Sequence, residues 1–493
     1  MELVRLPAGP SLADYGHYAM LHGEVERLRR AAGDCPGLVG RRVWMVSSTS
    51  EGGGVAESLP HLIRLLRDLG VTCGWGVVTP GEPAFFRLTK RLHNMIHGAA
   101  CDPPGPADRE LYDRVSAALA DEMAPHLRTG DLLVVHDPQP MGAGALLARR
   151  MGLPALWRCH IGVGEQNAAT RDAWAFLAPY QAPYARGLFT LERYAPSYFR
   201  GRMAVIHPSI DPLSHKNREL WTHKLSGVLM NAALAPSSHA QLSPPFRRPA
   251  LRLQDDGGFA PATFPDDLEL LFRPTVVQVS RWDRLKGFAP LLRAFARLKA
   301  AADREPEERH RRRLAVTRLV LAGPDPGGVA DDPEAEAVLA ELSGLWRALP
   351  GEIRRDVALL KLPMASHKEN ALMVNALQRC ASVVVQNLLR EGFGLTVAEA
   401  MWKARPVLGS AADGILAQLR DGQEGRIARD PEDHEGLADL LSDMLRRSKE
   451  RDNWGRNGQL RVTREFLAFA ETRRWLEELA AVANHDRQKG RNR

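Results

Sequence analysis

The stretch TVVQVSRWDRLKGF, residues 275–288, sets an apolar run of strand length directly against a charged turn. TVVQVS shows no polar alternation, so it reads as a strand buried on both faces, in a parallel sheet covered by helices. Arg281 and Lys286 leave the carboxyl end of that strand and flank a turn holding Asp283 and Gly287. Ligands of doubly wound sheets bind outside strand carboxyl ends. A guanidinium can grip two oxygens and an ammonium acts as a point charge, so the pair suits a diphosphate. The plain alternative is two surface cations balanced by Asp283.

Runs of the same kind recur on both sides. RLVLAG (318–323), VALLKLP (357–363), SVVVQN (382–387), PVLGS (406–410) and GRIA (425–428) complete one set. RRVWMVSS (41–48), VTCGWGVV (71–78), LLVVH (132–136), ALWRCHI (155–161), GLFTL (187–191) and MAVIHPS (203–209) form an earlier one. Helical patterns separate the runs, which predicts an α/β protein of two doubly wound domains. The expected division is 1–211, a linker and insertion over 212–273, a second domain over 274–450, and C-terminal helices over 451–493 that can cross back to the first domain. The Pro-, Ser- and Gly-rich 212–273 segment predicts irregular chain with a poorly ordered middle. The uncharged run Leu225–Phe246 reads as loop, and the tail DRQKGRNR as frayed.

With 493 residues, 44% hydrophobic and 25% charged, the composition is that of a globular protein of several domains. Five cysteines lie far apart with no C-x-x-C pair, which argues against a disulfide framework or a zinc site. The N-terminal residues lack a charged-then-apolar signal layout, and no stretch approaches about 20 apolar residues. The expectation is a cytoplasmic protein with no membrane partner. A net charge of +7 spread over scattered arginines, with aromatics at 6%, does not build a nucleic-acid face. The dense run EPEERHRRR (305–313) reads as a solvated loop or frayed helix end.

Three further glycine-rich turns follow strands. In SSTSEGGGVAE (47–57), Gly53 and Gly54 precede a helical pattern and would let a ligand approach the backbone at a helix N-terminus. Pro60 is expected to delay or kink that helix. LAGPDPGG (321–328) reads mainly as a turn. REGFGLTVAEAMWKARPV (390–407) carries Glu391 in its turn and Glu399 in the helix beyond. Thr396 to Glu399 matches a capping box, which would account for Glu399. Glu391 has no local explanation. Phe393, Gly394 and Leu395 would offer backbone N–H groups to an anion, with one carboxylate on either side for sugar hydroxyls.

REGFGLTVAEAMWKARPV strongly resembles the signature of retaining GT-B glycosyltransferases of the sucrose- and trehalose-synthase-like group. VSRWDRLKGF resembles that group's diphosphate-binding turn. SSTSEGGGVAE, FFRLTKRLHNMIHG, HDPQP, WRCHI, HPSIDPLSHKN and QRCASVVVQ resemble the trehalose glycosyltransferring synthases and the related trehalose phosphorylases. The resemblance spans about residues 41 to 435. It implies two Rossmann-like domains facing a central cleft. It also implies transfer of a glycosyl group from a nucleotide-diphosphate sugar to a small polar acceptor, with no cofactor and no metal.

By the same resemblance, Arg281 and Lys286 would neutralise the diphosphate, Glu391 would bind the donor sugar and Glu399 the ribose. Phe393, Gly394 and Leu395 would complete the anion seat, Met364 would lie beside the base, and Gly53 and Gly54 would close over the donor. His160 would sit near the transferred sugar, while His136, Asp137, Lys90 and Asn94 would line the acceptor side. His160, His136 and Asp137 also read as ordinary strand-end residues. The implied mechanism is same-face departure and attack, with the leaving phosphate taking the acceptor's proton.

Two positions depart from the pattern. Gly162 stands where the trehalose-forming group would carry Asp, and Asp413-Gly414 where it would carry Gly-Gly. Other sugars or acceptors, a phosphorylase and a non-catalytic sugar-nucleotide sensor therefore stay open beside a trehalose-forming synthase, as does a homodimer.

Overall fold

The computed structural model describes the chain except residues 51–52, 238–243, 329–332, 391 and 492–493. The chain divides into two units, Met1–Ser209 with Arg464–Arg493, and Ile210–Thr463.

Among the described residues, the first unit holds a seven-stranded sheet. Its strands are β1 (Glu2–Leu3), β2 (Arg42–Ser47), β3 (Thr72–Val77), β4 (Leu132–His136), β5 (Ala155–Cys159), β6 (Tyr184–Phe189) and β7 (Met203–Val205), in the order β1-β3-β2-β4-β5-β6-β7. Only β1 runs antiparallel, against β3. The strand order reverses at β2, which lies between β3 and β4. β4 is buried along its whole length, which is why its sequence shows no alternation. On one face Trp44, Val46, Leu133, Val135 and Trp157 pack with Phe85, Tyr112 and Trp174. The last helix, Ala468–Arg491, packs against helices Ala19–Gly33 and Gly53–Asp68.

Among the described residues, the second unit holds an eight-stranded sheet in the order β15-β14-β13-β10-β11-β12-β8-β9. The strands are β8 (Leu251–Leu253), β9 (Phe259–Pro261), β10 (Thr275–Val279), β11 (Arg318–Pro324), β12 (Val357–Leu362), β13 (Val383–Gln386), β14 (Val407–Ser410) and β15 (Gly425–Ala428). β10 to β15 are parallel, and the order reverses where β10 meets β13, with Val276 opposite Val383 and Val277 opposite Val384. These valines are fully buried, and each such side chain adds about 1.5–3 kcal/mol of transfer free energy. Every strand expected from a continuous apolar run is present, shifted at its ends by at most a few residues.

Several local expectations are corrected. The 212–273 segment is not irregular throughout: Thr222–Asn231 is a helix that buries Val228 and Leu229, and β8 and β9 form a hairpin that extends the sheet antiparallel to β12. Part of that expectation falls on 238–243, outside the described residues. The basic run begins a helix, Glu308–Val316, in which His310 is buried against Ser442 (2.9 Å) and Arg313 binds the Leu445 carbonyl (2.6 Å). Helix Gly53–Asp68 runs on through Pro60, which cannot donate to the carbonyl four residues back. The C-terminal tail continues as helix to Arg491, with Asp486 holding Arg41 at 2.9 Å.

Candidate active site

Open α/β sheets bind ligands where the strand order reverses, outside the strand carboxyl ends. In the second unit that point lies between the loops after β10 and β13, and buried amides stitch these loops together. Gln278 Nε2 donates to the Lys286 carbonyl (2.6 Å), and Asn387 N–H donates to Gln278 Oε1 (3.3 Å). Asn387 Nδ2 reaches the Gly287 carbonyl (3.2 Å), and Leu389 N–H the Leu285 carbonyl (2.8 Å). Gly287 is required twice over. Its φ is +60°, and a Cβ there would stand 2.0 Å from the Asn387 carbonyl oxygen.

Arg281 and Lys286 both project from this stitched turn. Asp283 caps the short helix Arg284–Lys286 through the Leu285 N–H (2.8 Å). Its ion pair with Arg281 is 3.8 Å long and Arg281 is 68% exposed, so the pair is worth at most about 1 kcal/mol. Met364 follows β12 at the same carboxyl edge, half-buried beside Gly328 in the loop after β11.

The turn after β13 is built around Gln418. Its Nε2 donates to the carbonyls of Phe393 (2.6 Å), Gly394 (3.2 Å) and Gly414 (2.9 Å), while its Oε1 accepts from Ala398 N–H (3.0 Å). Carbonyl and N–H of one trans peptide point in opposite directions. The Gly394 and Leu395 N–H groups therefore face away from Gln418, at the start of helix Leu395–Trp402. Gly414 packs on the same turn, because a Cβ there would stand 2.3 Å from Phe393 Cα. Glu391 lies outside the described residues. Gly394, with φ +78°, takes the N-cap position, so Thr396 is already inside the helix and the capping box does not form. Glu399 is instead a buried carboxylate one turn in, 3.5 Å from Lys216.

In the first unit the reversal lies between β2 and β4. Gly53 and Gly54 open the helix after β2, and part of the glycine turn (51–52) lies outside the described residues. At the end of β4 and β5 the structure brings His136, Asp137 and His160 together. His136 Nδ1 and His160 Nε2 share a hydrogen bond of 2.9 Å, and their rings stack at 5.2 Å. One nitrogen must donate and the other accept, so the pair holds a single bridging proton. Burial pushes the His136 imidazole down to about 3, helped by Arg158, and His160 well below its ordinary value. Asp137 adopts φ +63° and accepts His160 N–H (2.8 Å), and burial pushes its carboxyl up to about 6.

Beneath them Arg158 is buried with Nε and Nη1 unbonded among the described residues, its charge faced by Glu471 and Asp137. Lys90 and Asn94 stand one turn from each other on helix Pro83–Ile96. The sequence reading missed His93 on that helix, whose imidazole burial holds down to about 4. It also missed Arg158, Glu471 and the stitching amides. A readable sign of the amides was Gln278 inside the valine-rich β10 and Asn387 directly after the valine-rich β13.

Residues 45–196 match the family described as the trehalose synthase N-terminal domain, and residues 361–461 match the group 1 glycosyl transferases. The chain is 31% identical over 454 residues to a trehalose synthase of Pyrococcus horikoshii, covering 90% of this chain and 91% of that one. It is 32% identical over 459 residues to a trehalose synthase of Rubrobacter xylanophilus, covering 90% and 92%. The chain belongs to the trehalose synthase family. An α,α-trehalose-phosphate synthase (UDP-forming) structure from Burkholderia vietnamiensis superposes with a TM-score of 0.60, at 17% identity, over 90% of this chain and 96% of that chain.

This member of the trehalose synthase family is a glycosyltransferase of GT-B fold. Gly162, the departure noted above, is walled in: a Cβ there would stand 2.4 Å from Tyr194 Cγ. The buried Tyr194 ring takes the room a side chain at 162 would need. Among the described residues no helix is long and apolar enough to cross a membrane.

Proposed function

We propose that this glycosyltransferase moves a glycosyl group from a nucleotide-diphosphate sugar to a small polar acceptor with retention, and that nucleotide-glucose and free glucose, giving trehalose, are its first substrate pair to test. The observation that carries the donor assignment is the stitched turn at the β10/β13 reversal. It offers Arg281 and Lys286 beside a helix start whose N–H groups are turned outward. Arg281 and Lys286 stabilise the charge that develops on the leaving diphosphate. Glu391 takes the donor sugar's hydroxyls, Glu399 the ribose and Met364 the base.

In the reaction the bond from the anomeric carbon to the phosphate oxygen breaks, and a bond to the acceptor oxygen forms on the same face. The acceptor's proton passes to the departing phosphate oxygen, so no protein base is needed. His160, His136 and Asp137, with Lys90 and Asn94, hold the sugar and acceptor. The bond shared by the two imidazoles takes His136 Nδ1 and His160 Nε2, which leaves His160 Nδ1 to meet a hydroxyl as donor or acceptor. We read the reaction as metal-independent and the protein as cytoplasmic.

A second reading is favoured by two observations. Tyr194 fills the space beside Gly162, and Asp413 adds a carboxylate at the start of helix Asp413–Gln418. Both changes favour a different sugar or acceptor with the same donor chemistry. A panel of nucleotide sugars against small polyols, read by nucleotide release and product mass with and without chelator, separates the two. Disaccharide from nucleotide-glucose and glucose supports the first reading. Turnover only with another pair supports the second, and cleavage of the disaccharide by inorganic phosphate to sugar and sugar 1-phosphate, with no nucleotide released from any donor, would replace both with a phosphorylase.

A further inference from the structure

The segment HKNR (215–218), within a motif that the proposed function leaves unassigned, lies in the second unit and is clamped onto the helix carrying Glu399. Trp402 Nε1 donates to the Asn217 carbonyl (3.0 Å). Lys403 Nζ reaches Asn217 Oδ1 (3.1 Å) and the Glu399 carbonyl (3.0 Å). Asn375 Nδ2 binds the carbonyls of His215 (3.1 Å) and Arg218 (2.9 Å), and Arg379 Nη2 binds that of Arg218 (3.1 Å). None of these bonds uses the Lys216 side chain. They fix its backbone on both sides, and the ammonium stands 3.5 Å from Glu399 Oε1.

Lys216 is 41% exposed while the Glu399 side chain is 6% exposed. The second carboxylate oxygen, Oε2, is buried and hydrogen-bonded to nothing among the described residues. A buried acceptor left unsatisfied carries a desolvation cost, which a hydroxyl donor would recover. A hydroxyl both donates and accepts, and two adjacent hydroxyls ask for acceptor and donor side by side. Glu399 supplies the acceptor and Lys216 the donor.

We propose that Lys216 is a nucleotide-binding residue that, paired with Glu399, recognises the vicinal hydroxyls of the donor's ribose. The inference rests on the reading of Glu399 as the ribose carboxylate and adds a second, cationic partner from the clamped segment. Asn217 and Lys403 act as positioning residues that seat it.

The test is calorimetric binding of ADP, UDP and GDP, and of the 2′,3′-dideoxy form of whichever binds, to the full chain and to Lys216→Met, Lys216→Arg and Glu399→Gln. The wild type is expected to prefer the ribonucleotide by about tenfold or more, the scale of one good hydrogen bond to a charged group. Lys216→Met should collapse that ratio toward one and leave dideoxy affinity unchanged, which also shows that the variant is folded. Lys216→Arg should keep part of the preference. A Lys216→Met ratio equal to wild type, with the Glu399→Gln ratio lost, overturns the inference and leaves the ribose reading of Glu399 standing. Equal loss of both ligands would assign Lys216 to the diphosphate instead and also overturn it. No ribose preference in the wild type removes the inference and the ribose role of Glu399 together.

Discussion

At the scale of single residues, the donor account rests on Lys286, a half-buried cation whose backbone carbonyl is held by Gln278. Removing one preorganised charge from a site of developing negative charge costs about 10²–10³ in kcat. Lys286→Ala should therefore lose activity by at least that factor with thermal stability nearly unchanged. Near-normal turnover would remove Lys286 from the chemistry.

The histidine pair makes a prediction about pH. His136 in the folded protein binds its proton near pH 3, and an unfolded histidine binds it near 6.5, so the unfolded state takes up more protons throughout that window. Stability should fall as pH drops from 6.5 toward 3, by up to about 1.4 kcal/mol per pH unit for each buried histidine. Asp137 works the other way. Its carboxyl, raised to about 6, takes up a proton on acidification before the unfolded chain does, and so offsets one histidine between pH 6 and 3.8. Asp137→Asn should remove the offset and steepen the acid loss. Melting curves at stepped pH read both effects, and an unchanged acid limb in Asp137→Asn would contradict the assignment.

At the scale of elements, the donor turn depends on backbone meeting backbone. Gly414 lies against Phe393 with no room for a methyl group, and Gln418 of the same short helix holds the Phe393 and Gly394 carbonyls. Gly414→Ala should push this turn out of place and raise KM for the donor sugar nucleotide more than it lowers the melting temperature. An unchanged KM would show that the turn does not shape the donor site.

Elements were legible in proportion to their length and burial. Twelve apolar runs became strands because both faces of a parallel sheet are covered, which leaves an uninterrupted signal. β8 and β9, at three residues each, are too short to show any period. The Thr396–Glu399 pattern misled because a capping box is local chemistry. Gly394, with its positive φ, starts the helix earlier and carries Glu399 beyond the cap. The Lys216–Glu399 pair joins residues 183 positions apart and leaves no local trace.

At the scale of the whole molecule, two doubly wound units give two strand-order reversals, with Arg281 and Lys286 at one and His136, Asp137 and His160 at the other. The second unit was the more legible. Its reversal collects cations and glycines that lie close together in the sequence. The first unit's reversal is built from a histidine pair and a buried arginine whose partners come from distant segments, including Glu471 on the last helix.

The central claim is glycosyl transfer from a nucleotide sugar with retention. Its most direct test follows one turnover reaction by NMR, using an α-linked nucleotide-diphosphate sugar and the acceptor that the panel identifies. The account predicts release of one nucleoside diphosphate for each new glycosidic bond, with the α configuration kept at the anomeric carbon. A β-linked product, or product formed without nucleotide release, would contradict it.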